Sequence, residues 1–410
     1  MQDVAVHLAA KGLARGRESR QMDYHTKASS YSDTTDVLAK LQSVNWDFAG
    51  VNGRDRLHDI HPYPAKFIPQ IPRELIRLFH PGDDSVVLDP FCGSGTTLVE
   101  AVRAGLPTIG IDIHPLAILI AKTKTTPLKF PASPIARELV RKARAGSALI
   151  PQIPRLNHWF LPEVQQALAN LVDCIGQVED RTVQDCLKVA LSRIIVRVSN
   201  QESDTRYAAI QKQITSGLVY ELFMSSVLFV EQAVLEAYGG FFSVPPRCGL
   251  INQNILDVSA NTIATNIGLV VTSPPYPNAY EYWLYHKYRM YWLGMDPLAV
   301  RNAEIGARAH YFRKNPATEV DFENQMTSVF RLMSQIMSPG SYACFLVGRS
   351  VIHGRRIDNR VLLKRAAARS GFHCKAEVER RISQSQKAFN PAVSTINEES
   401  IMVFLLDGER

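Results

Sequence analysis

The 410-residue chain has no long apolar run and only six cysteines. No uninterrupted apolar stretch approaches the ~18 residues that a membrane-spanning helix needs, so we expect no membrane partner. The cysteines stand at positions 92, 174, 186, 248, 344 and 374 without a CxxC pair, which argues against a zinc site and a disulfide framework. We therefore expect no metal centre and a cytoplasmic location, where thiols stay reduced.

Targeting signals and a strong charge imbalance are also lacking. The N-terminal segment is basic and amphipathic but has no compact apolar stretch with a cleavage site, so it does not predict a secretory signal. Asp3 and Glu18 count against an organellar presequence. The formal net charge of +7 is compatible with a polyanionic partner but does not identify one.

Alternating strand, turn and helix signals predict an α/β fold. Apolar strands are expected over 85–88 and 108–113, with a glycine turn and a helix over 96–105 between them, which makes one βαβ unit with parallel strands. Later strand patterns cover 248–258, 267–276, 341–350, 373–382 and 399–406. Together these patterns predict about seven strands.

Long helical patterns interrupt the strand pattern once. Residues 130–247 carry apolar residues at helical spacing with few strand signals, and we interpret them as a helical insertion. Residues 1–58 are polar and weakly periodic, which predicts an N-terminal arm. The α/β domain is then expected in two parts, 59–129 and 248–410.

The first informative motif is Asp89-Pro90-Phe91-Cys92-Gly93-Ser94-Gly95-Thr96-Thr97, between a strand and a helix. Its glycines let backbone N–H groups approach a ligand at a helix N-terminus. A phosphate-binding loop would need a lysine before the Ser or Thr, and a dinucleotide site would need a third glycine, and both are missing. Cys92 has no base or metal ligand beside it, which favours packing over chemistry.

The next strand ends at Asp112. An acidic residue at the end of this strand is placed to accept hydrogen bonds from ribose hydroxyls. Alternatively, Asp112 is a solvated residue without a ligand.

The second motif is Thr272-Ser273-Pro274-Pro275-Tyr276, at the end of an apolar strand. Two prolines make a stiff turn that displays carbonyl groups. The Ser273 hydroxyl and the Pro274 carbonyl can accept hydrogen bonds from an exocyclic amino group, and Tyr276 offers a flat face for a flipped base. Alternatively, the motif has only a structural role, as a rigid proline turn with a buried tyrosine.

These two motifs resemble motif I and motif IV of the S-adenosylmethionine-dependent amino-methyltransferases that act on DNA at cytosine N4 or adenine N6. HPYPAKFIP, residues 61–69, is similar to the segment that precedes motif I in that family and helps close the cofactor pocket. The resemblance covers about residues 58–125 and 248–406. It implies a Rossmann-like class I methyltransferase fold with a mostly parallel seven-stranded sheet, and it makes the helical insertion a candidate target-recognition region.

The resemblance also implies roles for individual residues. Asp112 would hold the ribose and Ile113 would lie beside the adenine of S-adenosylmethionine, with either Asn254 or Asp257 near the adenine amino group. The other cofactor-binding candidates are Lys66, Asp89, Phe91, Cys92, Gly93, Ser94, Gly95, Thr96 and Thr97. The catalytic turn would consist of Ser273, Pro274, Pro275 and Tyr276.

Serine in the first position of motif IV favours cytosine N4 over adenine N6 in this family. Adenine stays open, as do RNA amino groups, protein glutamine and a nucleic-acid-binding protein that has lost catalysis. The implied partner is double-stranded DNA with a flipped base, accompanied in some systems by a restriction endonuclease.

Basic and aromatic segments supply candidate DNA contacts, although each also fits a solvated surface. These candidates are Arg206, Tyr207, Arg308, Arg313, Arg355 and Arg356. The aromatic segment 277–292 fits either base stacking or, slightly better, a helix that packs on the sheet.

Overall fold

A computed structural model describes residues 34–48, 55–64, 66, 68–204, 206–239, 247–263, 266–278, 281–382 and 398–408. Its helices are α1 (Thr34–Gln42), α2 (Gln70–Leu78), α3 (Thr96–Arg103), α4 (Pro115–Thr125), α5 (Ala132–Ala145), α6 (Leu156–Trp159), α7 (Pro162–Gly176), α8 (Arg181–Ile194), α9 (Ser216–Tyr238), α10 (Tyr282–Trp292), α11 (Pro297–Ala303), α12 (Arg308–Tyr311), α13 (Glu319–Ile336) and α14 (Asn359–Ala368). Its strands are β1 (Val86–Asp89), β2 (Thr108–Asp112), β3 (Cys248–Asn252), β4 (Ile267–Thr272), β5 (Met337–Gly348), β6 (Ser350–Ile352), β7 (Arg355–Ile357), β8 (Phe372–Arg381) and β9 (Glu398–Leu406).

Seven strands form one sheet in the order β3-β2-β1-β4-β5-β9-β8. The first five in this order run parallel, and β9 is antiparallel to both of its neighbours. The predicted α/β fold with a mostly parallel seven-stranded sheet is therefore confirmed, and the order and directions are those of the Rossmann-like methyltransferase fold. β2 and β3 lie on one side of β1, and the chain crosses to the other side between β3 and β4. This reversal makes a ligand-binding switch point at the carboxyl ends of β1 and β4.

Helices cover both faces of the sheet because its central strands are apolar on both sides. On one face, Ile71, Leu75 and Ile76 of α2 pack with apolar residues of β1, β4 and β5. On the other face, α13 and α14 pack with the same strands through a second cluster that contains Phe330 and Leu363.

Residues 34–48, which the sequence assigned to an N-terminal arm, pack against the sheet. Val37, Leu41 and Trp46 are buried in the cluster under α2. The Arg380 guanidinium of β8 donates a 3.0 Å hydrogen bond to the Trp46 carbonyl, which ties this segment to the edge strand. The arm prediction failed here because three buried side chains are too few to produce a visible period in the sequence.

The predicted helical insertion contains α5 to α9. Phe223, Val227 and Val230 of α9 lie in an apolar cluster that also includes residues of α4, and through α4 the insertion packs on the sheet domain. By length and composition α9 could cross a membrane, but half of that stretch is buried inside the protein. A helix buried in a protein core can be as apolar as α9 without crossing a membrane.

The aromatic segment after the second motif forms helix α10, as expected, but its neighbour differs from the one predicted. Among the described residues, the apolar cluster that contains this helix includes the insertion and no strand of the sheet. Trp292 lies 5.6 Å from Phe160 between ring centroids. Arg289 is buried as well; it donates to the Ser192 carbonyl at 3.1 Å and forms an ion pair with Asp204. These contacts join residues far apart in the chain, so the local pattern could not predict them.

The packed position of α1 can be tested with Leu41→Ala. Leu41 has no exposed surface, so removing most of its side chain should lower the free energy of unfolding by about 2–5 kcal/mol. Lys40→Ala, one position away on a partly exposed side chain, should change it by less than about 0.5 kcal/mol. Chemical denaturation of both variants measures the difference, and equal small effects would mean that residues 34–48 do behave as an arm.

Candidate active site

The glycine turn between β1 and α3 has the backbone shape that only glycine adopts readily. Gly93 and Gly95 have φ angles of +49° and +83°. A Cβ atom on Gly95 would lie 2.8 Å from the Cβ of Ala121 in α4. The turn therefore runs close to α4, with the N-terminus of α3 directly after it.

Asp112, at the end of β2, holds this turn in place. Its Oδ2 accepts the N–H of Gly93 and its Oδ1 accepts the N–H of His114, both at 2.8 Å. Burial raises the pKa of Asp112 to about 6, against the effect of these two hydrogen bonds. Each carboxylate oxygen keeps a further lone pair, so the group can still accept a hydrogen bond from a ligand.

A hydrogen bond joins the glycine turn to the second motif. Thr272 Oγ1, at the end of β4, donates to Asp89 Oδ1 at 2.6 Å. Asp89 Oδ2 is buried without a hydrogen-bond partner among the described residues, and burial raises the pKa of this carboxyl to about 6. The two predicted motifs thus meet at one point of the sheet edge, where an acceptor is left for a ligand.

The Ser-Pro-Pro-Tyr turn follows Thr272 directly. Ser273 Oγ lies 3.4 Å from the hydroxyl of Tyr276, which donates to the Leu346 carbonyl at 3.3 Å. Burial raises the pKa of Tyr276 far above its ordinary value. The Tyr276 ring packs against the apolar cluster under α13, so much of it faces protein.

One cavity of about 780 Å³, its open mouth included, connects the two motifs. The predicted site residues in its wall are Lys66, Phe91, Cys92, Gly93, Ser94, Thr96, Asp112, Ile113, Asn254, Ser273 and Pro275. The predicted residues outside its wall are Asp89, Gly95, Thr97, Asp257, Pro274 and Tyr276. Of the two candidates for the adenine end, the wall therefore contains Asn254 and not Asp257.

Residues that the sequence reasoning did not assign also line the cavity. Tyr63 stacks on Tyr282 with 5.8 Å between ring centroids, and Glu304 lies beside them in the wall. The only signal for Tyr63 was its place in the segment before motif I. Tyr282 belongs to the aromatic segment 277–292, which the sequence offered as a candidate for base stacking, whereas no motif contains Glu304.

Two lysines lie near the glycine turn. Lys66 lines the cavity and donates to the His58 carbonyl at 2.7 Å and to Asp59 at 2.9 Å. Lys124 is fully buried, with its Nζ 3.4 Å from Ser94 Oγ, and burial lowers its pKa well below the usual value. Cys92 is buried and packs with Leu98 and Ala121, in agreement with a packing role.

A cluster of possible metal ligands lies behind the cavity. Ligand atoms of Asp55, His58 and Glu100 lie within 4.8 Å of one another. Arg103 forms ion pairs with Asp55 and Glu100, and Arg73 forms another with Glu100. Because arginines already neutralise both carboxylates, we interpret the group as an ion-pair network.

Two of the three candidate DNA-binding segments lie together beside the catalytic turn. The ring of Phe312, after α12, contacts His353 at 4.9 Å between centroids, next to the β6–β7 hairpin. Asn278 donates to the Val351 carbonyl and so joins this hairpin to the catalytic turn. The exposed arginines of these segments are Arg308, Arg313, Arg355 and Arg356.

The third candidate segment lies on the insertion. Arg206 is exposed and pairs with Glu202, while the Tyr207 ring contacts Trp159 at 4.7 Å and is parallel to Tyr288. Tyr207 packs against these rings but stays 39% exposed.

Comparison with known proteins agrees with this geometry. A family model described as DNA methylase matches residues 14–123. The Type II methyltransferase M.MvaI of Kocuria varians is 29% identical over 59% of this chain and 58% of its own length. The Type II methyltransferase M.BsoBI of Geobacillus stearothermophilus is 23% identical over 61% of this chain and 55% of its own length. Over these regions the chain is similar to DNA amino-methyltransferases. It spans little more than half the length of these two relatives.

Solved structures show only a slight likeness to this protein. The rRNA methyltransferase aviRa of Streptomyces viridochromogenes has a TM-score of 0.34 at 14% identity and covers 92% of this chain and 94% of that one. The strand order described above defines the fold independently of this comparison.

The cofactor of the family is S-adenosylmethionine, and the cavity fits it. The ligand carries ribose hydroxyls and an ammonium group that need acceptors. Asp112, in the cavity wall, keeps acceptor positions for the ribose hydroxyls beside a turn that admits no side chain at Gly95. Ile113, at the cavity wall, supplies an apolar surface for the adenine.

Gly95→Ala tests whether the shape of the turn serves the cofactor. A non-glycine residue at this φ costs of order 1–3 kcal/mol, and the contact with Ala121 adds to it. We expect cofactor affinity to fall by about tenfold or more in a calorimetric titration. Gly105→Ala has a similar φ of +78° with nothing within 4 Å of the new Cβ, and should leave affinity unchanged. Similar losses in both variants would contradict the role of the turn.

Cofactor binding should depend on pH through Asp112. Its pKa of about 6 means that the carboxylate is lost as the pH falls below 6, so affinity should weaken between pH 7 and pH 5. Asp112→Asn should bind weakly at all pH values and lose most of this dependence. Asp89 has a pKa in the same range, so any pH dependence of cofactor affinity that remains in Asp112→Asn is attributed to Asp89. If cofactor affinity in Asp112→Asn depended on pH as strongly as in the wild type, Asp112 would not be the cofactor-binding carboxylate.

Proposed function

We propose that this protein is a site-specific DNA methyltransferase that transfers the methyl group of S-adenosylmethionine to the N4 amino group of cytosine. The observation that carries the proposal is the shared cavity: the glycine turn and Ser273 line it together, and the Thr272–Asp89 hydrogen bond holds the two motifs side by side. Donor and acceptor would therefore meet in one enclosed space.

The catalytic turn supplies hydrogen-bond acceptors for an amino group. The lone pair of an aromatic amine is delocalised into the ring, which makes it a poor nucleophile. Acceptance of its two hydrogens by Ser273 Oγ and the Pro274 carbonyl would favour a tetrahedral nitrogen with a free lone pair. When bound, S-adenosylmethionine would supply an electrophilic methyl group for direct in-line transfer, with S-adenosylhomocysteine as the leaving group and one amino proton released to water.

This chemistry needs no covalent enzyme intermediate. Burial raises the pKa of Cys92 well above its ordinary value, so the thiol at the glycine turn is not a thiolate nucleophile. What the protein must supply is alignment, and the rigid proline turn at the end of β4 suits that task.

A base inside a duplex is out of reach, so the target must be flipped into the cavity. The exposed Arg308, Arg313, Arg355 and Arg356 flank the catalytic turn, where they would hold the phosphates on either side of the flipped nucleotide. Arg206 and Tyr207 would extend this surface onto the helical insertion, which we propose as the target-recognition region.

Serine at the first position of the catalytic turn favours cytosine, and adenine N6 is the alternative product. Six free cysteines, three of them buried, suit a reducing cytoplasm, which we propose as the location. Because the relatives are named Type II methyltransferases, we also propose that a restriction endonuclease accompanies the enzyme.

Ser273→Ala tests the assignment of the catalytic turn. Removing one hydrogen-bond acceptor from the transition state should lower kcat by about 100-fold, while calorimetry should find cofactor affinity within a factor of about two. Ser328→Ala, at an exposed serine on α13, is the control and should behave as wild type. Equal loss of cofactor binding in Ser273→Ala would contradict the division of roles between the two motifs.

The product identifies the base. DNA methylated by the wild-type protein is digested to nucleosides and analysed by mass spectrometry. N4-methylcytosine is the expected product; N6-methyladenine alone would replace the cytosine proposal with its alternative, and absence of both would contradict the proposed function.

A further inference from the structure

Glu304 is a buried carboxyl in the cavity wall that belongs to neither motif. The residue is 5% exposed and follows α11. Its Oε1 accepts the N–H of Tyr282 at 2.9 Å, in the first turn of α10. Its Oε2 is buried and has no hydrogen-bond partner among the described residues. A buried carboxyl oxygen without a partner is costly, so this atom needs an explanation beyond the capping of α10.

The segment that contains Glu304 lies against the catalytic turn. The N–H of Asn278 donates to the Gly306 carbonyl at 3.0 Å. A Cβ atom on Gly306 would lie 2.5 Å from the carbonyl oxygen of Tyr276, so the two backbones are in direct contact. Glu304 therefore shares the cavity wall with Ser273 and is fixed relative to it by backbone contacts.

The surroundings of Glu304 favour its uncharged form. Burial raises its pKa to about 8, helped by the negative charges of Asp112 from β2 and Glu281 before α10, and opposed by the N–H groups of Tyr282 and Trp283. Tyr63 faces it from the loop before α2, with a pKa far above its ordinary value, and brings no positive charge. Without bound cofactor, the group is therefore predominantly a carboxylic acid with an O–H donor at neutral pH.

Resting on the proposed function, we infer that Glu304 is a substrate-binding residue whose carboxylic acid donates a hydrogen bond to the ring nitrogen beside the amino group of the target base. Cytosine presents an acceptor nitrogen, N3, next to its N4 amino group, and adenine presents N1 next to N6. Thymine presents an N–H at the same place and would be rejected. Ser273, in the cavity wall, accepts an amino hydrogen, and Glu304 supplies the donor to the adjacent ring nitrogen.

The experiment compares the pH dependence of kcat/KM for DNA in wild type and Glu304→Gln, at saturating cofactor. Wild-type activity should fall about tenfold per pH unit above the pKa of Glu304. The positive charge of the cofactor lowers that pKa, so the loss begins at or below pH 8. Glutamine offers an N–H donor at every pH and keeps an acceptor for Tyr282, so this variant should stay active and lose the alkaline decline.

Two further variants serve as controls. Glu304→Leu removes the donor and should lower kcat/KM about 10- to 100-fold at every pH, with cofactor affinity unchanged. If it fails to fold because α10 loses its cap, Glu304→Gln still decides the question. Glu281→Gln removes a neighbouring negative charge; it should keep the alkaline decline and move it to slightly lower pH.

The outcomes separate this inference from the proposed function. Methyl transfer by wild type with no alkaline decline, or a decline that persists in Glu304→Gln, would overturn the role of Glu304 and leave the proposed function intact. Weaker cofactor binding in Glu304→Gln would also overturn it, because the carboxylate would then hold the cationic cofactor. Absence of methyl transfer in wild type would contradict both.

Discussion

The hydrogen bond from Thr272 Oγ1 to Asp89 Oδ1 connects the two halves of the site. The two strand ends that it joins are neighbours in the sheet but lie on opposite sides of the helical insertion in the chain. Parallel pairing of β1 with β4 brings these ends to one edge, and the hydrogen bond fixes the turns that follow them. The shared cavity, and with it the proposed transfer between two bound molecules, depends on this arrangement.

Two carboxyl groups give this edge of the sheet its negative charge, and of the two Asp112 lines the cavity. Asp89 and Asp112 lie at neighbouring strand ends, and burial raises the pKa of each to about 6. Near neutral pH both are predominantly ionised and suited to a cofactor with positive charge. Backbone N–H groups of Gly93 and His114 hold Asp112 in place, so the same contacts that shape the glycine turn also orient its acceptor.

Much of the fold and the core of the site could be predicted because their signals are local. Glycine spacing, strand periodicity and the Ser-Pro-Pro-Tyr turn all lie within short windows, and the structure places Gly93, Asp112 and Ser273 around one cavity. The docking of α1 on β8 and of α10 on the insertion could not be predicted, since each depends on partners distant in the chain. Glu304 escaped prediction for the same reason: its role follows from burial and from a missing partner.

The central claim is that the glycine turn and the catalytic turn serve one reaction space. A crystal structure of the protein with S-adenosylhomocysteine, the product form of the cofactor, tests it most directly. We expect the ribose hydroxyls within hydrogen-bonding distance of Asp112 and the sulfur atom directed towards Ser273. Ligand density elsewhere, or a sulfur atom turned away from the Ser-Pro-Pro-Tyr turn, would contradict it.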